Sequence, residues 1–214
     1  MMWPLPFWVG LAALAIVWLG PLPERAQTAF SPNMIIHLAV VAVAAPLLAW
    51  GLAGLDDAPV TRHAVRWILL AALFDMAVVL GWHVPLLHEA AARSWVLFSV
   101  EQITFLIAGL GMWYLAFRDL SSVDAIVVAA AFFLTFMHMS VLGIVLVLAP
   151  HLLYDPSVCR GSFGLSALED QRLGGILMAS WGSFTYLAGA MWLLWRTLGR
   201  RAAAARDGRS GQTL

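Results

Sequence analysis

The chain has no lysine, a single cysteine and few charges of either sign. The shortage of charge excludes most. Asp, Glu, Lys and Arg make up 11% of the residues, where a soluble domain carries about a quarter. The lone Cys159 excludes an internal disulfide framework and any zinc or iron–sulfur centre built from several thiolates of one chain. As a loop thiol it reads as inert, although a lone cysteine can still ligate a soft metal or pair with a partner. Twelve arginines balance twelve acids, so there is no basic surface for nucleic acid. The use of arginine for every basic position reads as genome composition, not chemistry. A phosphate-binding glycine loop and a G-x-S-x-G elbow are both missing from the sequence. No catalytic constellation stands out, and the sequence does not read as an enzyme.

What is abundant is apolar sequence, with 62% hydrophobic residues and a mean hydropathy of +0.86. Six stretches approach the roughly 20 apolar residues that cross a bilayer: Trp3–Leu22, Met34–Leu55, Trp67–Pro85, Trp95–Phe117, Val123–Ala149 and Gly174–Trp195. The first is too long and too rich in tryptophan for a signal peptide, and no A-x-A site follows it. The expected fold is all-α, a polytopic membrane bundle of about six transmembrane helices over residues 1–196, with a disordered cytoplasmic tail over 197–214. Trp3, Trp67, Trp82, Trp95 and Trp195 lie at span ends, as in an interfacial aromatic belt. Ser31-Pro32 reads as the N-cap and first turn of the second helix. Glu169-Asp170 reads as a pair of acids complementing the start of the last one.

Arginines in short loops orient the bundle. Arg62, Arg66, Arg118, Arg196, Arg200, Arg201, Arg206 and Arg209 fall on one side, against Arg25, Arg93, Arg160 and Arg172 on the other. Eight against four places both termini in the cytoplasm. The third loop and the long fifth one, Pro150–Leu173, then face the periplasm or cell exterior.

Five of the six histidines, His37, His83, His88, His138 and His151, lie in or beside the apolar runs and toward that same outer side. Ionisable residues inside hydrocarbon are expensive and mark functional sites by default. At 1.5 Å per residue, His37 should lie about 5 Å below the start of its helix and Glu101 and Gln102 about 10 Å down theirs. Asp75 and His138 should meet near the midplane, about 15 to 18 Å deep, as a structural polar pair. A polar track then runs inward through His37, His83 and Glu101 to Asp75–His138. Met34, Met76, Met137, Met139 and Met178 accompany it. Thioether together with imidazole suits copper, with thioether favouring Cu(I). The candidate metal-binding set is therefore His37, His83, Glu101, His138, Met139 and Met178, and His37 with His83 is its strongest part. His88 and His151 read as solvated loop residues, and His63 as an ordinary residue on the cytoplasmic side. A bis-histidine haem site built from His37, His83 or His138 is also physically allowed.

An ordered set of segments carries a family resemblance. Phe30-Ser31-Pro32-Asn33-Met34-Ile35-Ile36-His37 is followed by Ala45-Pro46-Leu47-Leu48, Trp82-His83-Val84-Pro85, and Gln102-Ile103-Thr104-Phe105 with Gly109 and Trp113. Val141-Leu142-Gly143, Ala149-Pro150, Leu153-Tyr154 and Asp170-Gln171-Arg172-Leu173-Gly174-Gly175 with Met178 complete it. The chain resembles the polytopic CtaG family of bacterial cytochrome c oxidase assembly factors, the Bacillus type. The resemblance implies a membrane factor that works on haem–copper oxidase subunits, with copper as the species handled for the buried centre of the catalytic subunit. Family members typically carry histidines where this chain has Asn33 and Gln102, and both are poor copper ligands. Two alternatives follow: an accessory, non-catalytic oxidase subunit that has lost metal binding, and a haem- or quinone-binding membrane protein.

Overall fold

The computed structural model describes residues 4–55, 64–118 and 120–210, and every regular element among them is a helix. Trp3, Arg62 and His63 lie outside the described residues. The helices are α1 (Leu5–Leu19), α2 (Leu22–Ala26), α3 (Phe30–Ala39), α4 (Ala45–Ala53), α5 (Ala64–Trp82), α6 (Pro85–Arg93), α7 (Trp95–Phe117), α8 (Ser122–Leu148), α9 (Ala167–Leu177) and α10 (Ser183–Ser210). Five continuous segments are long and apolar enough to cross a membrane: Phe30–Ala53, Val65–Trp82, Trp95–Phe117, Val123–Leu148 and Ala167–Ala203. The polytopic bundle expected from the sequence is met, and α7 has the expected bounds.

The first expected span needs correction. With 15 residues α1 reaches about 22 Å, short of a hydrocarbon core of about 30 Å. Gly20 leaves the helix in an extended conformation and Pro21 follows, so the residue before a proline is held out of the α region. The last helix departs the other way. It continues past Arg196 to Ser210, so the expected step from bundle to tail at residue 197 is not a break in the backbone.

The segment Phe30–Ala53 is the centre of the bundle. In its apolar 18-residue stretch 61% of the residues are buried, against 28% to 39% in the other four spans. α1 and α7 flank α4, α9 lies on α3, and α5, α8 and α10 close the other side. Two π-helical turns interrupt the long segments, Val40–Ala44 between α3 and α4 and Met178–Gly182 between α9 and α10. Pro46 accounts for the first: it has no N–H and its ring clashes with the carbonyl four residues back, that of Ala42. In the second, hydroxyls compete for the carbonyls. Ser180 donates to Ile176 O at 2.6 Å and Ser183 donates to Met178 O at 3.2 Å. The two turns touch each other, and Trp113 Nε1 donates to Val41 O in the first at 3.2 Å.

Close approach of α8 and α9 depends on glycine at the crossing. A Cβ on Gly143 would lie 2.6 Å from Gly175 O, and one on Gly175 would lie 2.7 Å from Gly143 O. Small residues at such crossings let membrane helices pack backbone to backbone.

The start of α3 is sealed from across the molecule. Its N-cap is Ala29, not Ser31, and Ala29 has no side chain to satisfy the first amides. Asp170 of α9 does so: Oδ2 accepts from Phe30 N at 2.7 Å and from Ser31 N at 3.0 Å, and the Ser31 hydroxyl donates to Oδ1. Glu169 performs the local task in a capping box with Ser166. The expected acidic pair therefore divides between two helices. Trp67, Trp95 and Trp195 are exposed, as an aromatic belt requires. Trp82 instead turns inward and donates to Thr104 Oγ1 at 2.9 Å.

Candidate functional site

The polar residues of the core gather at the end of the bundle that carries the long loop 149–166. His37 follows from the helix start at Phe30: it is seven residues in, about 10 Å along α3, deeper than the sequence reading put it. It is fully buried, and neither ring nitrogen has a hydrogen-bond partner. One face packs on Phe105 with 4.0 Å between ring centroids, and His83 lies edge-on at 5.8 Å.

His83 sits just past the end of α5. Its Nδ1 lies 2.6 Å from Val79 O; a carbonyl only accepts, so Nδ1 carries the proton. Nε2 is thereby left with its lone pair, directed at Met34 Sδ at 3.4 Å. Met34 and His37 are on the same helix three residues apart, which puts them on one face. Two imidazoles and a thioether thus converge, with lone pairs unused on both rings.

Glu101, Asn33 and Gln102 form a separate network beside this cluster. Asn33 Nδ2 donates to Glu101 Oε1 at 3.2 Å, and Gln102 Nε2 donates to Asn33 Oδ1 and Glu101 Oε2, each at 3.3 Å. Gln102 also lines a cavity of about 270 Å³ with Trp18, Trp95 and Phe98. Its Oε1 lacks a partner.

Asp75 and His138 approach as expected but do not hydrogen-bond. His138 Nε2 is 3.9 Å from Asp75 Oδ2, beyond hydrogen-bond reach. Thr135 is the closer partner, donating to Asp75 Oδ2 at 3.0 Å, while His138 Nδ1 turns to Leu134 O at 3.1 Å. His138 nevertheless lies within electrostatic range of His37 and His83. Met139 and Met178 are buried in the same core as Met34, whereas Met137 is exposed. No hydrogen bond or ring contact joins Glu101, His138, Met139 or Met178 to the His37–His83 pair among the described residues. Nor is there, among those residues, a group of three or more His, Cys, Asp or Glu placed to hold a metal.

His151 is exposed, as expected, but His88 is not the solvated residue that its loop position suggested. It is 2% exposed, enclosed by Phe30 and Tyr154 at 5.1 and 4.5 Å between ring centroids. Tyr154 in turn stacks on Phe30 at 4.9 Å and donates to His83 O at 3.2 Å. Desolvation holds the His88 imidazole down at about 3 and pushes the neighbouring Cys159 thiol up to about 12. Both groups are therefore neutral near pH 7. The cover over His88 comes from Phe30 and Tyr154, in segments far from it in sequence on either side, a contact that no local pattern carries.

An interior of unpartnered imidazoles and thioethers, set in a bundle with five segments long and apolar enough to cross a membrane, defines a polytopic helical membrane protein. The chain belongs to the cytochrome c oxidase caa3 assembly factor family (Caa3_CtaG), whose model matches residues 4–200. Its role is thus in cytochrome c oxidase assembly, with the oxidase as partner and the bilayer as surroundings. No curated protein and no solved structure matches the chain.

Proposed function

We propose that this assembly role is non-catalytic and consists of holding copper, as Cu(I), for the copper centre of a haem–copper oxidase, at His37, His83 and Met34. The observation that carries the reading is the pair of buried imidazoles with free lone pairs around a thioether. A buried polar group normally finds a partner or costs stability; a cargo that arrives and leaves is a reason to keep these free. Three soft or borderline donors suit Cu(I), which accepts low coordination, while a structural zinc site calls for four ligands. Met139 and Met178 line the same core, and Glu101 is tied to Asn33, one turn before His37 on α3. His138 lies deeper, beside Asp75. The arginine excess near the C-terminal end supports a cytoplasmic C-terminus and a site opening to the periplasmic side of a bacterial inner membrane. With five crossing segments, the N-terminal end then lies on the side opposite the C-terminus, not in the cytoplasm as six spans would put it.

The Asn33–Glu101–Gln102 network favours one other reading. Two positions that resemble histidine sites of the family are committed to hydrogen bonds, as in an accessory oxidase subunit without metal. The experiment is metal analysis of the protein purified in detergent and loaded with Cu(I), with His37→Ala and His83→Ala beside it. Both variants are expected to retain less copper than the wild type. Equal copper in all three overturns the site, and one-to-one copurification with oxidase without copper selects the accessory reading.

A further inference from the structure

His88 and Cys159 are among the buried functional groups that the site above leaves unused. The sulfur lies 4.0 Å from His88 Nε2, on an approach from the long loop to α6. Cys159 is 1% exposed and unpaired. His88 Nδ1 has no partner at all. Neither tautomer is satisfied by the protein: a proton on Nδ1 leaves a buried donor without an acceptor, and a proton on Nε2 leaves Nδ1 as a buried acceptor without a donor. A gap of 4.0 Å is long for a useful hydrogen bond from sulfur. It suits a metal ion between the two atoms, since bonds of about 2.3 Å to sulfur and about 2.0 Å to nitrogen, the zinc values, span it with a bent angle.

We propose that His88 and Cys159 form a second Cu(I) site, nearer the loop surface, that receives copper before it reaches His83 and His37. This rests on the copper reading given above. Thiolate and imidazole are a donor pair that selects Cu(I). On binding, the S–H bond breaks, an S–Cu bond forms and the proton leaves to solvent, with no change in oxidation state. One thiolate cancels the charge of one Cu(I), so the loaded site is neutral and tolerates burial. His83 lies within electrostatic range of His88, and Phe30 touches both rings, at 6.4 and 5.1 Å. The donors Cys159, His88, His83, Met34 and His37 therefore form a series leading inward, along which copper moves by ligand exchange as Cys159 regains a proton.

The test is anaerobic titration of the full chain in detergent with Cu(I) against a colorimetric Cu(I) chelator, using Cys159→Ser, His88→Gln, His37→Ala and the double variant Cys159→Ser/His37→Ala. The wild type should hold two Cu(I), each single variant one, and the double variant none. Two coppers in both Cys159→Ser and His88→Gln overturn this site. One copper in the wild type, lost only with His37→Ala, overturns it and leaves the deeper site standing. One copper lost only with Cys159→Ser overturns the deeper site and keeps this one, and no copper in the wild type overturns both. X-ray absorption of the loaded wild type should show a short copper–thiolate distance. Its absence overturns the proposal even if the cysteine variant misfolds.

Discussion

The two ends of the bundle core are built on different terms. At the end away from the long loop, Trp113, Phe132 and Tyr186 interlock. Trp113 and Phe132 meet edge to face at 4.7 Å, Phe132 and Tyr186 at 5.5 Å, and small residues such as Ala45, Ala129 and Ala190 fill the spaces between them. At the loop end the core contains Met34, Met139 and Met178, and imidazoles at His37 and His88 with unpartnered nitrogens. Aromatic contacts of the first kind add about 0.5–1.5 kcal/mol per pair beyond simple burial. Unpartnered buried polar groups of the second kind cost about 1–3 kcal/mol each. The Tyr186 hydroxyl is also buried without a partner, so the two ends differ in how much aromatic packing offsets such groups: much at the far end, little at the loop end.

Three substitutions would break or sharpen that contrast. The largest effect is expected at Phe132→Ala, which opens the aromatic end. It should destabilise by about 3 kcal/mol, the low end for such truncations, because helices in lipid gain from packing rather than from exclusion of water. Unfolding in mixed micelles measures it, and copper retention in the folded fraction should not change. If copper falls in step, the two ends are not separate.

Asp170→Ala comes next. It removes a carboxylate oxygen shared by two backbone amides of α3, for a loss of about 2 kcal/mol. Here copper retention should fall as well, since the same helix positions Met34 and His37; unchanged retention would mean that the cap and the site are independent. The smallest effect on stability, and one of opposite sign, is expected at His37→Leu. Exchanging an unpartnered imidazole for a side chain of similar volume should stabilise by up to about 1 kcal/mol while abolishing copper at the deeper site. A destabilised His37→Leu protein would show that the imidazole has a structural partner after all.

The architecture was largely legible because hydrophobic length is a local property. Trp95–Phe117 could be read to the residue, for instance, while the missed shortness of α1 follows from Gly20-Pro21, a stop signal already in plain view. The π turn at Val40–Ala44 also had a visible cause in Pro46, but its partner at Met178–Gly182 depends on serine hydroxyls that choose carbonyls only in the folded helix. The candidate site divides in the same way. His37 and His83 were readable from depth and spacing. His88 was not, because its burial is imposed by Phe30 and Tyr154 from distant segments. Asp170 stands in the first turn of α9, where its local position puts it, but charge near a helix start is a local signal and the amides it satisfies lie 140 and 139 residues away.

That last bond sets an order of events in biogenesis. Phe30 and Ser31 leave the ribosome before Asp170 is made, so their amides gain this carboxylate only late in synthesis. They are satisfied only when the final hairpin of the chain inserts and brings α9 alongside. A chain truncated before residue 170 would lack the carboxylate that closes the start of α3, so the loop end is finished only by the last part of the bundle to be made.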